Sequence, residues 1–135
     1  MSLPASITAE TSFTVGTDVV LQGPSPSAQI GVVFEDDGET GYFYALDFGR
    51  KANPIVDVLH IYNVRSVADK NLRSQAQIVW SEDGLKAALL IDRYPHAVFD
   101  FAARRGYCRS GFPPPDSNWT KFDHAWDDSA QEFFR

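Results

Sequence analysis

Alternating apolar and polar positions run through the middle of the chain and predict β-strands joined by tight turns. In residues 29–48, QIGVVFEDDGETGYFYALDF, two alternating runs flank an acidic turn that contains glycine. Residues 76–92, AQIVWSEDGLKAALLID, repeat this arrangement. An Asp-Gly pair between alternating runs favours a hairpin, because glycine accepts the positive φ of a tight turn. The pattern therefore predicts two β-hairpins, which turn at Asp37-Gly38 and at Asp83-Gly84.

The two hairpins belong to longer segments that resemble each other, residues 30–64 and 76–107. Each segment has an apolar run, an acidic turn, a strand that ends in aspartate, and then a proline followed by another strand. Two copies are too few for a propeller or a solenoid, which need several units to bury their faces. The similarity indicates either two sheet halves related by a loose internal symmetry or two hairpins that are alike by coincidence.

The flanking segments complete a mainly β fold. Residues 11–23, TSFTVGTDVVLQG, predict two short strands, and the polar residues 65–75 predict a short helix or an ordered loop. We expect a single domain over residues 1–135, built from seven to nine antiparallel strands. The strands would form a two-layer sandwich or one strongly curved sheet.

The C-terminal residues predict a short helix. Asp128 with Gln131, or Ser129 with Glu132, has the spacing of a capping box, in which the first side chain accepts a backbone N–H and the second reaches back. A helix of about two turns is marginal on its own. We therefore expect the phenylalanines at positions 133 and 134 to dock it on the sheet.

The charge balance separates classes of partner. The chain has 12 Lys and Arg against 18 Asp and Glu, a net charge of −6, so its field repels nucleic acid and would favour a cationic partner. The alternative, which we place first, is that this mildly acidic balance serves to keep the protein soluble. The single cysteine, Cys108, cannot form an internal disulfide, and the N-terminus shows neither the basic nor the apolar region of a secretion signal. No apolar run approaches the length of a membrane span. We expect a cytoplasmic protein with no membrane association.

The first functional hypothesis is a non-enzymatic protein-binding module. Its partner-binding residues would be the carboxylates at the two hairpin tips, namely Glu35, Asp36, Asp37, Glu39, Glu82 and Asp83. Small acidic bacterial immunity proteins bind basic toxins by charge steering and pairing, and they offer an analogy of size and charge. The tips would therefore bind a cationic protein.

The second hypothesis concerns residues 113–128, PPPDSNWTKFDHAWDD, where His124 stands close to Asp127 and Asp128. An imidazole and carboxylates suit a metal site or acid–base chemistry, although the spacing matches no known ligand pattern such as HExxH. The alternative is that Asp127 or Asp128 caps the helix and His124 is partly exposed. Trp119 and Trp126 then fold over a sheet edge as a structural cover. A third hypothesis makes this aromatic strip the contact patch of a homodimer.

Other candidates would assemble a hydrolase or a metal centre from distant residues. His60, His96 and His124 would form a three-histidine centre if they converged, whereas a histidine on an apolar strand is more often a hydrogen-bonded core residue. Cys108 stands among three arginines, whose charge would favour a nucleophilic thiolate, or it is a small buried hydrophobic residue. The chain has no GxSxG, phosphate-loop or dinucleotide motif, and we expect no cofactor.

Three segments give the chain a family resemblance: VWSEDGLKAALLID at 79–92, YCRSGFPPP at 107–115 and HAWDD at 124–128. Together they resemble a small bacterial domain family of unknown function over roughly residues 28–130. The resemblance implies a bacterial, cytoplasmic, stand-alone protein of about this length. It implies no activity and no catalytic residues.

Overall fold

The computed structural model describes residues 6–68, 71–115 and 117–134. Nine strands occur in these residues: β1 (Ser6–Thr14), β2 (Val19–Pro24), β3 (Ile30–Asp36), β4 (Thr40–Asp47), β5 (Ile55–Asn63), β6 (Arg73–Trp80), β7 (Lys86–Ile91), β8 (Tyr94–Asp100) and β9 (Arg105–Cys108). Two 3-10 helices span Val64–Ser66 and Asp128–Phe134. Residues 65–75 were expected to form a short helix or an ordered loop, and the first 3-10 helix includes residues 65 and 66. Residues 73–75 belong to β6, and positions 69 and 70 lie outside the described residues.

The strands form two antiparallel sheets, which confirms the mainly β expectation. The five-stranded sheet has the order β1-β6-β7-β8-β9, and the four-stranded sheet has the order β2-β3-β4-β5. The turn after β1 carries the chain from one sheet to the other through Gly16, whose φ of +91° is a conformation that side chains disfavour. The two similar segments lie in different sheets, residues 30–64 forming β3 to β5 and residues 76–107 forming most of β6 to β9.

The core lies between the two sheets. Phe43 of the four-stranded sheet stacks on Phe99 of the five-stranded sheet with ring centroids 5.3 Å apart, and both are fully buried. Trp80 crosses the same space and donates its indole N–H to the Gly23 carbonyl at 3.2 Å. A Cβ at Gly23 would lie 2.7 Å from Ile78, so the sheets approach closely here because this residue is glycine. Burying each large side chain stabilises the fold by about 1.5–3 kcal/mol.

Two register shifts in the β4–β5 ladder decide which side chains of β5 face inward. The alternation of the sequence suggests that Val56, Val58 and His60 share one face. In the structure Val56 is buried in the core, whereas Val58 and His60 are half-buried, because an irregularity opposite Ala45 and Leu46 changes the phase of the strand. His60 therefore lies on the outer face of the four-stranded sheet.

The C-terminal 3-10 helix covers the outer face of the five-stranded sheet. Ala130 is buried there against an apolar cluster, and Phe133 and Phe134 pack on it, as predicted. Asp127, one of the two aspartates expected to cap this helix, accepts the Ser129 N–H at 2.9 Å, and the helix begins at Asp128. The capping boxes that start at Asp128 or Ser129 place the cap too late. Within the described residues, neither helix is long and apolar enough to span a bilayer.

Candidate functional site

The segment after β9 runs along the edges of both sheets. The His60 N–H of β5 donates to the Phe112 carbonyl at 2.8 Å, and the Cys108 N–H of β9 donates to the His124 carbonyl at 3.0 Å. Ser117 adds a hydroxyl bond to the Val56 carbonyl at 2.7 Å. These bonds satisfy backbone groups that an edge strand would otherwise expose. We call residues 112–115 and 117–126 the tail.

His124 joins this tail to β5 through a buried ion pair. Its Nε2 lies 2.8 Å from a carboxylate oxygen of Asp57, and its Nδ1 contacts the carbonyl oxygen of Pro113. His124 is 1% exposed and Asp57 is 7% exposed. The second oxygen of Asp57 accepts the Val58 N–H at 2.9 Å. Each end of the pair is therefore held in place by a backbone group as well as by its partner.

The surroundings of His124 favour the imidazolium form. Burial alone would lower the pKa of His124, but the hydrogen bond and charge of Asp57, together with the Pro113 carbonyl, raise it above its ordinary value. Both ring nitrogens face acceptors, and only the imidazolium can donate from both. The expectation of a partly exposed His124 is wrong. Its lone pairs are not available to a metal or a substrate in this arrangement.

The aspartates that follow His124 in the sequence do not join it. Asp127 caps the C-terminal helix, and Asp128 accepts the indole N–H of Trp126 at 2.7 Å. Hydrogen bonds from Ser129 lower the pKa of Asp127, whose carboxyl is solvent-exposed. Across residues 6–68, 71–115 and 117–134, no three His, Cys, Asp or Glu side chains are grouped so that they could hold a metal ion.

Cys108 is also enclosed. It is 1% exposed, its thiol donates to the His60 carbonyl at 3.2 Å, and its sulfur lies 3.3 Å from the Ser110 hydroxyl. The neighbouring arginines stack on aromatic rings: Arg105 lies over Tyr107 and Arg109 over Trp126. Cys108 thus occupies the position of a small buried residue beneath the tail.

The three histidines contact different neighbours. His60 packs edge-on against Tyr42, with ring centroids 5.0 Å apart, on the outer face of the four-stranded sheet. His96 packs edge-on against Tyr94 at 5.3 Å, and burial, with the charge of Arg109, lowers its pKa. His124 pairs with Asp57, which is the side chain that the sequence reasoning did not single out. An acidic residue inside the apolar run IVDVLHI was the available signal.

The acidic tip between β3 and β4 has one buried carboxylate and two exposed ones. Asp36 is 1% exposed and accepts hydrogen bonds from Gly16, Gly38 and the Tyr62 hydroxyl. It is therefore a structural residue and not a surface contact, which corrects its assignment as partner-binding. Asp37 and Glu39 are exposed. Hydrogen bonds from the Thr40 and Glu39 backbone lower the pKa of Asp37.

The second acidic tip lies at the opposite end of the sandwich. Ser25, in the loop before β3, donates to the Gly84 carbonyl at 2.7 Å, so the β6–β7 turn lies beside the start of β3. The first tip follows the end of β3, a distance of about 20 Å for seven extended residues. Asp83 pairs with Lys86 at 3.0 Å, and its pKa is lowered to about 2, first by the Ser81 hydroxyl. Glu82 is exposed.

Beside the first tip, four side chains form what we call the tyrosine face: Glu35, Tyr42, Tyr44 and His60. Tyr42 and Tyr44 stack with centroids 5.7 Å apart and planes 26° from parallel. The Tyr44 hydroxyl donates to Glu35 at 3.0 Å, and Glu35 stands opposite Tyr42 in the ladder. All four side chains are half-buried and lie on the outer side of the four-stranded sheet. The sequence showed aromatic residues on both faces of β4, so alternation alone could not tell which face was outside.

The outer face of the five-stranded sheet carries aromatic residues that are already occupied by cations. The Arg109 guanidinium lies 4.6 Å from the Tyr94 ring centroid and 3.9 Å from that of Trp126. Asp128 completes this group at 3.9 Å from Arg109. Such stacking is worth about 0.5–1 kcal/mol at an exposed site.

A second arginine is held in the same way. The Arg105 guanidinium lies 4.5 Å from the Tyr107 ring centroid and 4.9 Å from that of Phe122. In the part of the chain that the structure describes, no lysine or arginine lies over Tyr42 or Tyr44. The tyrosine face is therefore an aromatic and acidic surface over which the described residues place no cation.

Comparison with known proteins places the chain in a family. Residues 13–135 match a family described as an uncharacterized protein conserved in bacteria (DUF2251), and the chain belongs to this family. An uncharacterized protein of Haemophilus influenzae is 55% identical over 92 residues, which cover 67% of this chain and 57% of that relative. The chain thus spans little more than half the length of this relative. The family resemblance seen in the sequence is confirmed, and no solved structure matches the chain.

Proposed function

We propose that this protein is a non-enzymatic binding protein that takes a cationic protein partner at the β3–β4 end of the four-stranded sheet. The observation that carries the proposal is the group of carboxylates there. Asp37 and Glu39 are exposed and Glu35 is half-buried, and none is ion-paired with a described lysine or arginine. They adjoin the tyrosine face, so acidic and aromatic groups form one continuous surface.

Electrostatics supports a cationic partner. The net charge of −6 steers positively charged proteins toward the chain, and local carboxylates then fix the orientation of the complex. The pKa of Asp37 lies below its ordinary value, so this carboxyl is ionised at physiological pH. Bacterial immunity proteins, which neutralise basic toxins in this manner, remain an analogy of size and charge.

Of the two acidic tips, the β3–β4 tip is better suited to a partner. Asp83 at the β6–β7 tip already pairs with Lys86 and accepts the Ser81 hydroxyl. Its charge is therefore partly compensated within the chain, whereas no lysine or arginine among the described residues forms an ion pair with Asp37 or Glu39. Glu82 is the exposed carboxylate of the second tip and provides a control at the opposite end of the molecule.

The enzyme alternative has less support. A hydrolase built on His124 or Cys108 needs a route for substrate to the imidazole or the thiol. Both side chains are buried, and their hydrogen bonds join them to backbone carbonyls, to Asp57 and to the Ser110 hydroxyl. The homodimer alternative also has less support, because Trp119 packs on Phe101 and Trp126 carries Arg109 within the chain.

The test is a salt-dependent capture experiment with matched variants. The immobilised protein is exposed to native cell lysate at low and at high salt, beside an Asp37→Asn/Glu39→Gln variant and a Glu82→Gln control. Asparagine keeps the oxygen that accepts the two turn hydrogen bonds, so the loop is preserved. We expect a basic partner that is released by salt, lost with the double variant and retained with the control. Equal capture by all three proteins would contradict the proposal.

A further inference from the structure

We propose that the tyrosine face binds an arginine side chain of the partner, with the guanidinium stacked on the tyrosine rings and paired with Glu35. This inference rests on the proposed function and names the chemistry of its contact. It commits to an arginine-bearing segment of another protein as the occupant. Charge complementarity supports that choice, since Glu35 and the acidic tip together present three carboxylates at this end of the sheet.

The molecule contains an internal precedent for this contact. On the five-stranded sheet, Arg109 lies over Tyr94 and Trp126 with Asp128 beside it. The tyrosine face offers the equivalent groups, two aromatic rings and one carboxylate, but the described residues place no cation over them. The same chemistry is thus complete on one outer face and lacks its cation on the other.

Glu35 is positioned to receive a guanidinium. One of its oxygens accepts the Tyr44 hydroxyl at 3.0 Å, and the other accepts no hydrogen bond from the described residues. Burial, followed by the hydrogen bond and charge of Glu35, raises the pKa of Tyr44. The phenol therefore stays protonated at physiological pH and continues to orient the carboxylate. An oriented carboxylate loses less conformational entropy when it pairs.

Arginine suits this surface better than lysine. A guanidinium is planar and weakly hydrated, so it stacks on a ring while its N–H groups reach a carboxylate. The Tyr42 and Tyr44 rings are 5.7 Å apart, too close for a guanidinium to insert between them. It would therefore lie on the solvent side of the pair, next to Glu35.

The test measures the affinity of three matched probe peptides by calorimetry. The probes are a short Gly/Ser peptide with three arginines, the same peptide with three lysines, and the same peptide with citrulline, which has the shape of arginine without its charge. We expect the arginine peptide to bind about three- to fivefold more tightly than the lysine peptide, and the citrulline peptide to show no binding. Equal affinity for arginine and lysine would overturn the inference.

Three single substitutions test where on the protein the arginine peptide binds. Tyr44→Ala and Glu35→Gln should each weaken the arginine peptide by about three- to fivefold, while Tyr94→Ala, on a ring that already carries Arg109, should leave the affinity unchanged. Circular dichroism establishes that each variant is folded, and Glu35→Gln keeps the side-chain shape. Unchanged affinity in both tyrosine-face variants would reject the arginine contact. If Asp37→Asn/Glu39→Gln still loses the cellular partner in that case, the proposed function stands without it.

Discussion

The outer faces of the two sheets carry similar aromatic and acidic side chains, but these side chains have different neighbours. On the five-stranded sheet the C-terminal helix packs on the outer face, and two arginines lie over aromatic rings. On the four-stranded sheet Tyr42 and Tyr44 stack on each other, His60 packs edge-on against Tyr42, and Glu35 accepts the Tyr44 hydroxyl. Aromatic and acidic groups that contact an arginine of the same chain stabilise the fold. We propose that the same groups bind another molecule where the described residues place no cation over them.

The carboxylates of the two regions differ in the same way. Asp57 is buried and pairs with the imidazole of His124, which fastens the tail to β5. Glu35 is half-buried, and within the described residues its carboxylate accepts a hydrogen bond from the Tyr44 hydroxyl alone. Removing the first carboxylate should therefore change stability, and removing the second should change binding.

The largest expected effect comes from breaking the buried pair. Asp57→Asn leaves the imidazolium of His124 buried without a counter-charge, which costs about 3 kcal/mol of unfolding free energy. Urea unfolding measures this loss. The exposed Glu82→Gln control should stay within about 0.5 kcal/mol of wild type. A loss of similar size in both variants would contradict the fastening role of Asp57.

The contribution of His124 should depend on pH. Its pKa is raised in the folded state, so the stabilisation is fully present below the unfolded value of about 6.5 and is lost as the pH rises through the folded value. The difference in unfolding free energy between wild type and His124→Gln should therefore be larger at about pH 6 than at about pH 9. A difference that grows with pH would have the wrong sign.

A smaller effect on the unfolding free energy is expected when one side chain is removed from each outer face. Arg109→Ala removes a guanidinium that lies over two rings, together with the packing of its stem, and should lower the unfolding free energy by about 1 kcal/mol. Tyr44→Ala removes one stacked ring at a solvent-facing position and should cost about 0.5 kcal/mol. Thermal unfolding of the two variants side by side gives the comparison. The reverse order would mean that the tyrosine face is chiefly structural.

The smallest expected effect on stability is that of Glu35→Gln. Glutamine keeps an oxygen that can accept the Tyr44 hydroxyl, so the unfolding free energy should stay within about 0.5 kcal/mol of wild type. The same substitution should weaken the arginine peptide. A variant that loses stability but keeps its affinity would assign Glu35 to the fold alone.

Local patterns predicted most of the fold. The hairpins turn at Asp37-Gly38 and Asp83-Gly84 because alternation and turn chemistry act over a few residues, and the C-terminal helix docks through its two phenylalanines. The sequence left the cap open among Asp127, Asp128 and Ser129, because all three can accept a backbone N–H, and Asp127 is the residue that does so.

Long-range pairing was not predictable from those patterns. Asp57 and His124 are 67 positions apart, and no local rule connects them. The face of His60 depends on irregularities in the β4–β5 ladder that carry no signature in the sequence. The sequence placed both acidic tips among the partner-binding residues, whereas the chain path puts them at opposite ends of β3 and buries Asp36.

The most direct test of the tyrosine face is a titration followed by NMR of the tyrosine rings. The chain has five tyrosines, so labelling them with carbon-13 reports on both outer faces in one experiment. On addition of the arginine peptide, the ring signals of Tyr42 and Tyr44 should shift, and those of Tyr62, Tyr94 and Tyr107 should not. Shifts confined to Tyr94 and Tyr107, or no shift at any tyrosine, would contradict the assignment of the binding surface to the four-stranded sheet.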